Sequence, residues 1–149
     1  MKTTTSSLSE CLSKKSYFKI KMHPIASNHF KIIVKINGVK GLFILDTGAS
    51  TSFVDKKLKQ KYKLNTETSV VKASGAGRDK IDTLLSKNNR IQIGGWIKNR
   101  FQVALLDLSY VNDTFDSIDA SPVDGILGAD VLKKGSAVID YEKRYLYFK

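Results

Sequence analysis

An acid at the end of an apolar run, followed by small and hydroxyl residues, is the arrangement in this chain best suited to chemistry. Leu42-Phe43-Ile44-Leu45 reads as a strand buried on both faces, and Asp46-Thr47-Gly48-Ala49-Ser50-Thr51-Ser52 follows at once. A carboxylate at the end of a buried strand is costly unless hydrogen-bond donors hold it. The hydroxyls, free amides and glycine of this loop can supply them. The segment is therefore built to position a reactive carboxylate. A lone carboxylate does little, but a pair can hydrolyse a peptide bond with no covalent intermediate. Like charges a few ångströms apart cannot both ionise, so one carboxyl takes a proton from water while the other protonates the carbonyl oxygen.

A second segment belongs with the first. Val123-Asp124-Gly125-Ile126-Leu127-Gly128-Ala129-Asp130-Val131-Leu132 lies far downstream and contains an apolar-apolar-Gly element at Ile126-Leu127-Gly128. Together with Asp46-Thr47-Gly48 behind its apolar strand and Ala49-Ser50 after it, this resembles the aspartic peptidases, and the bacterial retropepsin-like members in particular. A carboxyl pair sharing one proton is the known behaviour of aspartic proteases, and the resemblance implies it for this chain.

The resemblance implies a catalytic Asp46, with Thr47, Gly48, Ala49 and Ser50 supporting the active-site loop. Thr47 would reach across a two-fold axis to the partner's loop. Gly48 would offer its amide to the carboxylate and lack a Cβ that crowds it. Ala49 lacks the hydroxyl that a Ser would offer the carboxylate, so a less acid working pH is expected. The resemblance also places a substrate flap at Ser74, Gly75, Ala76 and Gly77, and the floor at Ile126, Leu127 and Gly128, where the glycine lets one backbone approach the other. No cofactor and no metal are implied. Pepsin-type enzymes carry two such Asp motifs in a much longer chain, and this chain has one. A homodimer follows, since two-fold symmetry sets identical residues opposite each other. In retroviral members both chain ends interleave into a shared sheet; the N-terminal segment here departs from that pattern.

The bulk properties fit a single domain. The chain has 149 residues, enough for a real core, and a net charge of +11. Residues 1–40 hold eight lysines against the single acid Glu10. Such asymmetry suits a nucleic-acid or anionic partner, but lysines spread among strands serve solubility equally well, and no aromatic-basic interleaving supports nucleic acid, which is not expected as a partner. Cys11 is alone, so no intrachain disulfide forms. No apolar stretch has signal-peptide or membrane-span length, and a cytoplasmic location without membrane contact is expected. His23 and His29 lie away from any acid or cysteine at metal spacing. Trp96 after two glycines reads as packing. Asp124 and Asp130 read as structural acids, capping a helix or pairing with a lysine, and Gly75-Ala76-Gly77 fits a plain hairpin loop as well as a flap.

The elements that must hold these residues are short. Residues 1–16 read as a flexible N-terminal arm, with a short helix at 7–16 available to it, and residues 17–149 as the protease-like domain. Tyr17 to Met22 reads as a strand. Phe30, Ile32, Val34 and Ile36 share one face, with Lys31 and Lys35 opposite. Asn37-Gly38 is a two-residue hairpin signal, and Val39 to Leu45 returns to deliver Asp46. Ser52 and Asp55 suggest a helix striped by Val54, Leu58 and Tyr62. Strands are expected at 69–74, 81–85, 90–93 and 98–106, with a turn at Asn88-Asn89 and a break at Gly94-Gly95. Residues 107–122 read as a polar loop with a helical turn near Val111. Ala129 to Lys134 reads as a helix ended by Gly135, before a final hairpin. Many short strands with frequent turns predict a mostly-β fold. The resemblance sharpens this to a single-lobe, acid-protease (retropepsin-like) closed β-barrel with one or two short helices. The expected activity is aspartic endopeptidase action on an extended polypeptide. The alternative is a non-catalytic dimerisation or peptide-binding module of the same fold.

Overall fold

The computed structural model describes residues 5–73, 81–116 and 122–149. In chain order the elements are α1 (Leu8–Lys14), β1 (Phe18–Lys21), β2 (His23–Pro24), β3 (Phe30–Ile36), β4 (Val39–Leu45), β5 (Phe53–Asp55), β6 (Glu67–Ala73), β7 (Ile81–Ile93) and β8 (Trp96–Leu106). They continue as α2 (Ser109–Asp116), β9 (Gly125–Leu127), α3 (Ala129–Lys134), β10 (Val138–Asp140) and β11 (Tyr145–Phe148). The main sheet runs β2-β3-β4-β9-β5-β8-β7-β6, and a further pairing of β3 with β7 closes six of these strands into a barrel. The mostly-β closed barrel expected from the sequence is present.

Alternating apolar side chains fill the barrel. Ile32, Val34 and Ile36 of β3 meet Phe43 and Leu45 of β4, Ile91 and Ile93 of β7, Phe101, Val103 and Leu105 of β8, and Leu127 of β9. Every one of these is at most 7% exposed, so burial of the strands' inner faces is the main force closing the barrel. The Asn37-Gly38 turn takes φ of +51° and +82°, the left-handed pair that a two-residue hairpin needs. Asn37 also ties the turn to its surroundings. Its Nδ2 donates to the Tyr62 carbonyl at 2.8 Å and to Asn89 Oδ1 at 2.9 Å, while its Oδ1 accepts from the Arg90 amide at 3.0 Å.

Four local expectations are corrected. The segment from Ser52 does not start a helix: Phe53–Asp55 is a strand, because it fills the gap between β8, which it joins in parallel, and β9, which it joins antiparallel. A single 3-10 turn at Lys56–Leu58 follows, with Asp55 accepting from the Lys57 amide at 3.2 Å. Asn88-Asn89 does not turn the chain. β7 runs on through two register shifts, with Asn88 at φ +60° and Asn89 buried and donating to Ser86. Lys31 is only 5% exposed, at a point where β3 is paired with both β2 and β4, whereas Lys35 is exposed as alternation predicts. Within the expected polar loop lies a full helix, α2, preceded by Asp107, whose carboxylate accepts from the Ser109 hydroxyl and amide at 2.6 and 2.9 Å.

The two ends of the domain meet in a separate three-stranded sheet. β11 lies between β1 and β10, so both of its edges are taken by strands of the same chain. Ile20, Leu146 and Phe148 of this sheet join the barrel core, and Phe148 packs on Trp96 at 4.8 Å between ring centroids. Trp96, 2% exposed, is a packing residue, as expected. Helix α1 precedes β1, capped by Ser7, whose hydroxyl accepts from the Glu10 amide at 3.1 Å. Among the described residues no helix is long and apolar enough to cross a membrane.

Candidate active site

Strand β4 ends at Leu45, and Asp46 is the first residue beyond it. What lies beside β4 there is decided by the short strand β9. It pairs in parallel with β4 (Phe43↔Gly125, Ile44↔Ile126, Leu45↔Leu127) and antiparallel with β5 (Phe53↔Ile126, Val54↔Gly125). The segment 125–127 is thus inserted between two strands that are neighbours in sequence, and loop 46–52 must pass over its end. The two motifs that looked related in the sequence are side by side.

Hydrogen bonds pin the loop from both sides. The Asp46 amide donates to the Leu127 carbonyl at 2.9 Å, which fixes the backbone from which the carboxylate projects. The Gly48 amide donates to Asp46 Oδ1 at 2.9 Å, a charge-assisted bond that sets the carboxylate's orientation. A Cβ on Gly48 would sit 3.3 Å from that same oxygen. The Ala49 amide donates to the Asp46 carbonyl at 3.2 Å, and the Ala49 carbonyl accepts from the Ala129 amide at 2.7 Å. Asp46 is half-buried, while Thr47, Gly48 and Ser50 are exposed. The carboxylate is thus half-buried, with one oxygen bonded within its own loop and exposed residues beside it.

Glycine at 128 is a requirement of close approach. A Cβ there would lie 2.6 Å from the Ala49 carbonyl oxygen and 3.0 Å from that of Thr51, both main-chain atoms. Leu127 is buried in the core, and Ile126 is half-buried. The flap residues Ser74, Gly75, Ala76 and Gly77 lie outside the described residues; β6 and β7 pair as far as Ala73↔Ile81 on either side of them.

Two acids near the motif have structural partners. Asp124 pairs with Lys61 at 2.5 Å and accepts from the Tyr62 hydroxyl, and its backbone is bound to Leu42 and Asp55. Tyr62 is fully buried, and burial, followed by the bond to Asp124, pushes its phenol well above the ordinary range. Asp130 accepts from the Val131 amide at 2.8 Å, as a helix-start acid can. It also accepts from the Ser52 amide at 2.9 Å and hydroxyl at 2.6 Å, and Ser52 Oγ in turn accepts from the Gly128 amide at 2.7 Å. Sequence reasoning missed this Ser52–Asp130 link. Its only trace was an acid just after Gly128-Ala129 and a hydroxyl at the loop's far end. Among the described residues no cluster of three or more His, Cys, Asp or Glu could hold a metal.

Comparisons with known proteins bear on this geometry. A family model described as aspartyl protease matches residues 32–131, which span both motifs. No curated protein matches the chain by sequence. Among solved structures, a retropepsin-like aspartic protease from Rickettsia conorii is 20% identical, with 89% of this chain and 90% of that one covered and a TM-score of 0.59. The EIAV protease complexed with the inhibitor HBY-793 is 22% identical over 79% of this chain and 98% of that one, TM-score 0.58. The retroviral protease-like domain of Ddi1 from Leishmania major is 20% identical over 80% and 86%, TM-score 0.55. At these identities the likeness shows the fold, which is that of the retropepsin-like proteases.

Proposed function

The chain belongs to the aspartyl protease family, and on that premise we propose that it is an aspartic endopeptidase, active as a homodimer in which each protomer supplies one Asp46. The observation that carries this reading is the position of Asp46 at the crossing of β4 and β9. Its amide is held by Leu127 and its carboxylate is oriented by Gly48, while Thr47 and Gly48 beside it stay exposed. One chain offers one such carboxylate, and a two-fold axis beside the exposed loop supplies the other. Water held between the pair loses a proton to the ionised carboxyl as the protonated one gives its proton to the carbonyl oxygen. The resulting tetrahedral diol collapses with proton transfer to the leaving nitrogen.

Thr47 is proposed to bond the partner's loop across the axis. Ile126, Leu127 and Gly128 form the floor of the cleft, and Ser74, Gly75, Ala76 and Gly77 its flap. The substrate is an extended polypeptide held by main-chain hydrogen bonds, with apolar residues favoured about the scissile bond.

The test is cleavage of a diverse peptide library from acid to neutral pH, wild type beside Asp46→Asn. Cuts made by wild type alone and blocked by a statine-type inhibitor are the expected outcome. Cleavage by a pure Asp46→Asn sample overturns the dyad. Silence of a dimeric wild-type sample at every pH, with retained peptide binding, gives the alternative of a non-catalytic peptide-binding module.

A further inference from the structure

The link between Ser52 and Asp130 joins residues far apart in the chain at the base of the candidate catalytic loop. Asp130 Oδ1 gathers three donors: the Ser52 hydroxyl at 2.6 Å, the Ser52 amide at 2.9 Å and the Val131 amide at 2.8 Å. The Ser52 hydroxyl has one proton, and Asp130 takes it. Its oxygen is thereby oriented to accept from the Gly128 amide at 2.7 Å. Gly128 follows Leu127, whose carbonyl holds the Asp46 amide, and it precedes Ala129, whose amide holds the Ala49 carbonyl. One short segment, 127–130, thus grips the loop at its start, middle and end. A capping role for Asp130 would need only the Val131 contact. The acid instead directs two of its three bonds to Ser52, at the point where the loop enters β5.

We infer that Ser52 and Asp130 are positioning residues that set the placement of Asp46 toward its counterpart, an inference that rests on the endopeptidase reading above. Neither touches the reacting atoms. They act through Gly128 and the loop backbone, by removing the loop's freedom to tilt. Two carboxyls that share one proton must stay within hydrogen-bond reach of one water, and a shift of about 1 Å in such a geometry can cost on the order of 100-fold in rate. A tilt of the loop lowers kcat and leaves KM nearly unchanged, because the floor strand 125–127 stays paired with β4 and β5 while only the loop shifts. By loosening the loop it also increases the mean separation of the two carboxyls and weakens the mutual repulsion that splits their titrations. The two limbs of the pH–rate bell therefore draw together.

The experiment compares full-length wild type, Ser52→Ala, Ser52→Thr, Asp130→Ala, Asp130→Asn and Asp46→Asn on one fluorogenic peptide taken from the wild-type cleavage sites. Rates are normalised to the folded, dimeric fraction. Ser52→Ala and Asp130→Ala are expected to lose roughly 10- to 100-fold in kcat, with KM within about threefold and a narrowed pH bell. Ser52→Thr keeps the hydroxyl and Asp130→Asn keeps an acceptor oxygen, and both are expected to restore most of the rate. Hydrogen exchange at the Gly48 and Ala49 amides, measured without substrate, is expected to quicken in both alanine variants while the β3–β4 amides stay protected. This measurement needs no turnover, so it reads the role of Ser52 and Asp130 even where an alanine variant is too unstable for kinetics. Wild-type kcat, an unchanged bell and unchanged exchange in Ser52→Ala overturn the positioning role alone. Absence of cleavage by dimeric wild type overturns the endopeptidase reading and this inference with it.

Discussion

Asp46 combines an amide fixed by a neighbouring strand, a carboxylate oriented by its own loop and exposed flanking residues, a set that on the proposed reading serves reactivity more than stability. Asp46→Asn should therefore leave the urea midpoint close to wild type while abolishing cleavage. Gly128 answers to packing. The atoms that a Cβ would strike at 2.6 and 3.0 Å are backbone oxygens of the loop, which cannot swing aside as a flexible side chain would. Gly128→Ala should cost about 1–3 kcal/mol in urea unfolding and reduce activity further than that loss of folded protein explains. Tyr62 responds to pH. Its phenol is raised by burial and by the bond to Asp124, so the folded protein keeps it neutral where unfolded chains ionise. Its favourable contribution is complete below the unfolded phenol value of about 10 and is lost as pH rises above it. Tyr62→Phe should show a shallower alkaline loss of stability than wild type, followed by circular dichroism from neutral to strongly alkaline pH.

At the scale of elements, the hairpin β3–β4 delivers Asp46, and its turn does more than reverse the chain. Asn37 takes a left-handed φ and makes three side-chain bonds, to Tyr62, Asn89 and Arg90. Asn37→Ala removes those bonds and strains the turn; a loss of about 1–3 kcal/mol by urea titration is expected. Because this end of the hairpin is remote from Asp46, the folded fraction should keep its turnover number. The insertion of β9 is the other deciding element. Three residues long, it gains its place by pairing on both edges, with β4 and β5, and its two ends are the Asp124 and Gly128 contacts.

For the whole molecule, one barrel carrying one Asp46 loop makes activity, on the proposed reading, a property of assembly. β11 already has strands of its own chain on both edges, so an interleaved sheet of the retroviral kind is not available around it. Association then rests on other contacts, and the active dimer should be easily diluted apart. Specific activity is expected to fall on dilution and to be restored by protein concentration or by a bound inhibitor, measured alongside sedimentation velocity. Activity that stays constant down to concentrations where only monomer sediments would count against a shared site.

The sequence by itself determined the local features whose cause is local. Apolar alternation specified β3 and β4, Asn37-Gly38 the hairpin, and Ala129 to Lys134 the helix before Gly135. Asp46 was legible because an acid after four apolar residues must sit at a strand end, and resemblance tied it to Ile126-Leu127-Gly128. Tertiary structure decided the rest. Phe53–Asp55 looked like a helix start and became a strand, because two strands lacked a partner between them and backbone groups there must pair. Lys31 went inside although alternation put it outside, at a point where β3 is paired on both edges, with β2 and with β4. Asp130 looked like a cap and became the anchor of Ser52, a contact between residues that no local rule connects. Periodicity and turn chemistry act over a few residues, whereas strand insertion and loop anchoring depend on which distant backbone arrives alongside, and only the closed barrel brings it there.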